Sequence, residues 1–88
     1  MLSKLQQLEK IALRTAVLEY FNSKQPKYAR KMQDDAVFAN YDAEDVKEML
    51  HALTATGDLR KLAGEKAGSQ YIISVQGRNW LEAQREAV

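Results

Sequence analysis

The sequence predicts an α+β domain, mostly α: three helices, a β-hairpin and a closing helix, in that order. Three observations predict it. Apolar residues recur at helical spacing as far as Gly57, the period then shortens to that of strands, and the interruptions fall at Pro26 and at Gly57, Gly64 and Gly68. With 88 residues the chain has room for one domain, 1–88, and one modest core. Its 45% hydrophobic and 28% charged residues are those of an ordinary globular protein, and a single proline with four glycines leaves no long linker or low-complexity tract.

Ser3 stands as an N-cap with Gln6 placed to complete a capping box, so a first helix runs from there to about Asn22. Residues 1–10 form its N-terminal extension, and Leu2, Leu5 and Leu8 are candidate contacts with a second subunit. Ile11, Leu13, Val17, Leu18, Tyr20 and Phe21 cover most of the helix circumference, which predicts packing from more than one side, by helices of its own domain or by a partner. Pro26 lacks the N–H a continuing helix would use and breaks the run. A short second helix fits Lys27 to Asp35, with Tyr28, Ala29, Met32 and Ala36 inward and Arg30, Lys31 and Asp34 outward. Val37, Phe38 and Tyr41 of the following connector are expected to plug the core.

Asp42 caps the third helix, with Glu44, Asp45 and Glu48 near its start, where the helix dipole favours negative charge. Val46, Met49, Leu50 and Leu53 recur at i, i+3, i+4, i+7 and face inward; Glu44, Glu48, His51 and Ala52 face outward. Gly57 stops the helix as a left-handed residue. The strand-like runs 58–62 and 69–73 flank a polar tip bracketed by glycines and predict a hairpin over 58–74. Ser74 opens the closing helix, 75–88 with its end near Ala87, and Trp80 and Leu81 face inward.

Three motifs in this order resemble winged-helix (winged helix-turn-helix) domains: Val17-Leu18-x-x-Phe21; Val46-x-x-Met49-Leu50-x-x-Leu53-x-x-x-Gly57-x-Leu59; and Tyr71-x-Ile73-Ser74-x-x-Gly77-x-x-x-Leu81. Together they cover roughly Leu13 to Leu81, most of the chain, and no particular subfamily emerges. The resemblance implies a hairpin that acts as the wing and a small transcriptional regulator that binds double-stranded DNA, with the third helix in the major groove.

The charge pattern qualifies that implication. The formal net charge of +1 gives no global attraction to nucleic acid, so the electrostatic case rests on local patches. Lys27, Arg30 and Lys31, beside Lys24, and Arg60, Lys61 and Lys66 on the wing are candidate phosphate ligands. The plainer reading pairs Arg30 and Lys31 with Asp34 and Asp35 at helical spacing. Lys47, His51 and Thr54 are the candidates to approach bases, because the outward face of the third helix lacks Arg, Asn and Gln. Phosphates repel that acidic face. The rival reading is therefore a protein-interaction module, either docking a basic partner through Glu44, Asp45 and Glu48 or forming a homodimer through its first and last helices.

Chemistry finds little purchase in the sequence. Cysteine is absent, which removes disulfides, thiolate nucleophiles and cysteine-ligated zinc. Glu48-x-x-His51 has metal-ligand spacing, yet His51 is the chain's sole histidine and further ligands would be required, so no metal or other cofactor is expected. Ser3, Ser23, Ser69 and Ser74 sit at predicted caps, breaks or turns, and no nucleophile has a base beside it; the chain is read as a non-enzyme. The polar interruptions of its N-terminal segment exclude a signal peptide or membrane span, and a cytoplasmic location is expected.

Overall fold

The computed structural model describes residues 4–62 and 68–86, and gives three α-helices and a small antiparallel sheet. Helix α1 spans Lys4–Tyr20, α2 spans Ala43–Thr56 and α3 spans Val75–Glu86; strands β1, β2 and β3 span Lys27–Tyr28, Leu59–Leu62 and Gln70–Ile73. Sheet order is β1-β3-β2, antiparallel throughout. The predicted third and closing helices are α2 and α3. Ser3, Leu2, the hairpin tip 63–67 with Lys66, and the end of the closing helix at Ala87 lie outside the described residues, as do the side chains of Leu5 and Gln6.

The core lies where one face of the sheet meets the three helices. Val17, Leu18 and Phe21 of the α1 region, Val46, Leu50 and Leu53 of α2, Leu59, Tyr71 and Ile73 of the sheet and Leu81 of α3 are all buried together. Each large apolar side chain so buried contributes about 2 kcal/mol. The Phe21 ring lies 5.8 Å from Tyr71 and 5.0 Å from Tyr20, the latter edge-on, the arrangement aromatic quadrupoles favour. Helix α1 is less enveloped than its pattern suggests: Ile11 is 44% exposed and Leu8 63%. Its burial begins at Leu13, where α2 and α3 flank it.

The second helix is the element the structure changes. Lys27 and Tyr28 instead form β1, pairing with Tyr71 and Gln70 of β3, and the amide of Ala29 donates to the Ser69 carbonyl at 3.1 Å. These backbone bonds hold Tyr28 extended (φ −76°, ψ 130°) and delay helical geometry to Ala29, while Asp35 is extended again (φ −77°, ψ 131°). The interval fits a six-residue 3-10 helix, Ala29–Asp34, and no full α-helix. The Asp35 side chain accepts the Val37 amide at 3.0 Å and starts a second 3-10 turn, Ala36–Phe38. Of the inward residues expected here Met32 and Phe38 are buried and Tyr41 packs on the core, but Ala36 is exposed and Val37 is 51% exposed. In the tight second turn the Phe38 side chain takes the inward position.

The ends of α2 follow the sequence closely. Asp42 Oδ1 accepts the Glu44 amide at 2.8 Å. At the other end Gly57 (φ 89°) donates to Thr54 and Asp58 donates to Leu53, the paired bonds of a Schellman motif. The residue after the left-handed glycine commonly packs an apolar side chain against the last turn; here it is an aspartate, 1% exposed. Ser74 caps α3, its Oγ accepting the Gly77 amide at 3.1 Å.

Gly77 is the close-approach point of the fold. A methyl added there would collide with the Asp58 carbonyl oxygen and lie 3.0 Å from Ile73 Cγ1. In an exposed helix interior Gly→Ala stabilises by about 1 kcal/mol, so Gly77→Ala distinguishes the two effects. We expect it to destabilise by about 1–3 kcal/mol in urea unfolding, and a gain in stability would show that α3 does not pack this tightly on the start of β2.

Candidate functional site

A polar cluster at the junction of α2 and β2 joins the three helices to the base of the hairpin. The Asp58 carboxylate accepts from Arg14 Nη2 at 2.6 Å, Thr56 Oγ1 at 2.9 Å and Gln76 Nε2 at 2.9 Å. Its main chain is held as firmly: the Ser74 amide donates to the Asp58 carbonyl at 3.0 Å, and Ser74 Oγ lies 2.6 Å from the Gly57 carbonyl. The Arg14 guanidinium, in turn, sits 4.6 Å from the centroid of the Trp80 ring, a cation–π contact. One carboxylate thus ties α1, the end of α2, the hairpin base and α3 together. Sequence periodicity does not pair residues 44 apart: it places Asp58 at the start of a strand-like run, whereas β2 begins at Leu59, and it assigns none of Asp58, Arg14, Thr56 and Gln76 to a site.

The hairpin so anchored presents two unlike faces. Across the paired strands Leu59 opposes Ile73, Lys61 and Lys27 both oppose Tyr71, Arg60 opposes Ile72, and Leu62 and Tyr28 both oppose Gln70. Residues directly opposite share a face. The first set belongs to the core side, where Lys27 and Lys61 flank buried Tyr71 at the rim. The second set, Arg60, Ile72, Leu62, Gln70 and Tyr28, is the solvent side.

This pleat divides the predicted phosphate ligands. Arg30 and Lys31 lie over Tyr28, 5.4 Å and 5.9 Å from its ring centroid, and a Cβ at Gly68 would stand 3.9 Å from Arg30 Cδ. They therefore join Arg60 at the solvent side of the sheet. Lys27 turns the other way and places Nζ 4.6 Å from the Tyr20 ring centroid. Burial, and then the Asp35 and Asp34 carboxylates, hold the Tyr20 phenol above its ordinary pKa. The alternative pairing of Arg30 and Lys31 with Asp34 and Asp35 does not form; among the described residues the ion pairs are Arg14–Asp58 and a long Arg85–Glu19 contact of 3.9 Å.

Helix α2 exposes Glu44, Asp45, Lys47, Glu48 and His51. Thr54 is half-buried and its hydroxyl donates back to the Leu50 carbonyl at 2.8 Å, which occupies its hydrogen within the helix. Among the described residues no three His, Cys, Asp or Glu side chains are grouped to hold a metal ion, and no helix is long and apolar enough to cross a membrane. Leu8, the described member of the leucine trio, is exposed on α1.

No protein-family model matches the chain, and no curated protein matches it.

Removing Arg14 leaves a buried carboxylate with only neutral donors, a change that costs about 3 kcal/mol, at the lower end for such pairs because the Arg14 side chain is 32% exposed. We expect Arg14→Ala to lower the unfolding midpoint by on the order of 10 °C, measured by circular dichroism. An unchanged midpoint would mean that Thr56 and Gln76 suffice to hold Asp58.

Proposed function

We propose that this chain is a winged-helix DNA-binding module that grips the duplex by its phosphates through the solvent side of its sheet, with little direct reading of bases. The observation that carries the reading is the set of cations on the solvent side of the sheet, Arg30 and Lys31 over Tyr28 and Arg60 on β2, none of them engaged by a carboxylate among the described residues. Arginine and lysine held on an aromatic ring keep their donors directed outward, and the ring limits the rotamer entropy lost on binding a phosphate. The order of α1, the 3-10 turns, α2, the hairpin and α3 supports the resemblance seen in the sequence.

The reading departs from the usual winged-helix expectation at α2. Insertion of that helix into a major groove would bring Glu44 and Glu48 against phosphate, and phosphates reward the opposite charge. Lys47 and His51 are the two side chains on its exposed face that can donate to base edges, and Thr54 is occupied within the helix. The sheet side carries the binding instead, as a sequence-tolerant clamp that a transcriptional regulator would use for affinity.

Fluorescence anisotropy with mixed-sequence duplexes across a salt series tests this. Replacing Arg30 and Lys31 together by Ala is expected to weaken binding on every sequence and to reduce the log–log salt slope by about 2, near one per lost phosphate contact. Replacing Glu44 and Glu48 by Gln is expected to strengthen binding modestly. Equal affinity and slope in the Arg30/Lys31 variant would remove the assignment.

A further inference from the structure

A second surface, remote in charge from the first, runs along the crevice between α1 and α2. At one end a groove of about 800 Å³ has Leu13, Val37, Tyr41, Met49 and Ala52 in its lining and the carboxylates of Glu9, Asp42, Asp45 and Glu48 along its sides, against the single cation Lys10. A shallower depression of about 380 Å³ continues it past Lys10, Met49 and Ala52 to Ile11 and Trp80. Two of the chain's large exposed apolar side chains, Val37 and Ile11, lie in these linings. The carboxylates of Glu9, Asp45 and Glu48 make no hydrogen bond or ion pair within the described residues, and that of Asp42 uses Oδ1 alone, on the Glu44 amide.

We infer that this crevice docks a cationic amphipathic helix of a partner protein. An apolar floor alone would not choose its occupant, but here the charge does: four carboxylates stand against Lys10, and the other cation in the lining, Arg14, is bound to Asp58, so the crevice complements a helix that bears Lys or Arg beside an apolar stripe. The dimensions agree. Helix α2, which forms one wall, has 14 residues, about 21 Å of length at 1.5 Å per residue, enough to accompany a partner helix for four turns. Nucleic acid is repelled by the same carboxylates. A second copy of this chain fits less well, because the exposed stripe of its own α1, Leu8 and Ile11, is flanked by Glu9 as well as Lys10, and the next cation along the helix, Arg14, is bound to Asp58. The docking surface and the phosphate-binding face lie on different elements, so one can fail while the other stands.

The probe is a synthetic leucine/lysine helix of about 14 residues with leucines at i, i+3, i+4 and i+7, titrated into labelled chain and followed by backbone amide shifts. A peptide of identical composition with its stripe scrambled controls for charge alone. The expected result is saturable binding with shifts centred on Leu13, Met49 and Ala52, weakened on the order of tenfold by Asp45→Asn with Glu48→Gln, and lost with Ala52→Arg. Ala52 is exposed, so that substitution fills the groove while leaving the core intact. Absence of saturable binding overturns the inference, as does equal binding of the scrambled peptide. Sedimentation of the free chain as a dimer that Ala52→Arg dissociates would give the groove to a second copy, and groove shifts on adding duplex DNA would give it to nucleic acid; either overturns the assignment to a cationic helix.

Discussion

Burying the Asp58 carboxylate is the constraint on which the rest of this structure depends. A charge taken out of water is tolerated when its lone pairs are matched and a counter-ion is close, and here the matching groups come from three helices. Arg14 reaches from α1, Thr56 from the last turn of α2 and Gln76 from the first turn of α3. Each helix must therefore arrive at the same point, and the hairpin that begins at Leu59 is aimed by the same contact. An apolar residue at 58 could bury area equally well, but would not demand those three directions. Asp58 thus specifies a geometry as much as it contributes stability.

Much of the fold was legible in the sequence, for identifiable reasons. Helix α2 was readable because its apolar period, its Asp42 cap and its left-handed Gly57 all agree, and each corresponds to a contact in the structure. The hairpin was readable because the strand-like runs 58–62 and 69–73 flank a polar, glycine-containing segment, and β2 and β3 pair within those runs. The second helix was misread because Arg30, Lys31 and Asp34 mimic the outward face of an α-helix, while the fact that decides the matter, pairing of Lys27 and Tyr28 with β3, involves residues more than 40 positions away. A strand of two residues carries no period of its own. The connector shows a related limit: Val37 and Phe38 are both apolar, and the choice between them is made by the turn that Asp35 initiates.

The candidate site was legible as a list of residue types and not as an arrangement. The basic residues were visible, but the pleat that sends Arg60 to one side and Lys61 to the other is a consequence of register. The acidic outward face of α2 was visible too, whereas the crevice beside it required the position of α1. A near-neutral chain can in this way hold two surfaces of opposite sign, the cations around Tyr28 and the carboxylates around Met49, with the core between them. Such separation keeps the two charged surfaces on different elements of one small domain.

The contact at Gly77 bears on how this fold can diverge. Most core positions accept exchanges of similar volume, because neighbours can shift to fill or yield space. Position 77 has no such latitude, since what stands opposite is a backbone carbonyl already bonded to the Ser74 amide. A side chain placed there must push the first turn of α3 away from Asp58, and Gln76, which donates to the Asp58 carboxylate, lies on that turn. Glycine at 77 and the acid at 58 are therefore coupled, because the close approach that the first permits is what brings Gln76 within reach of the second.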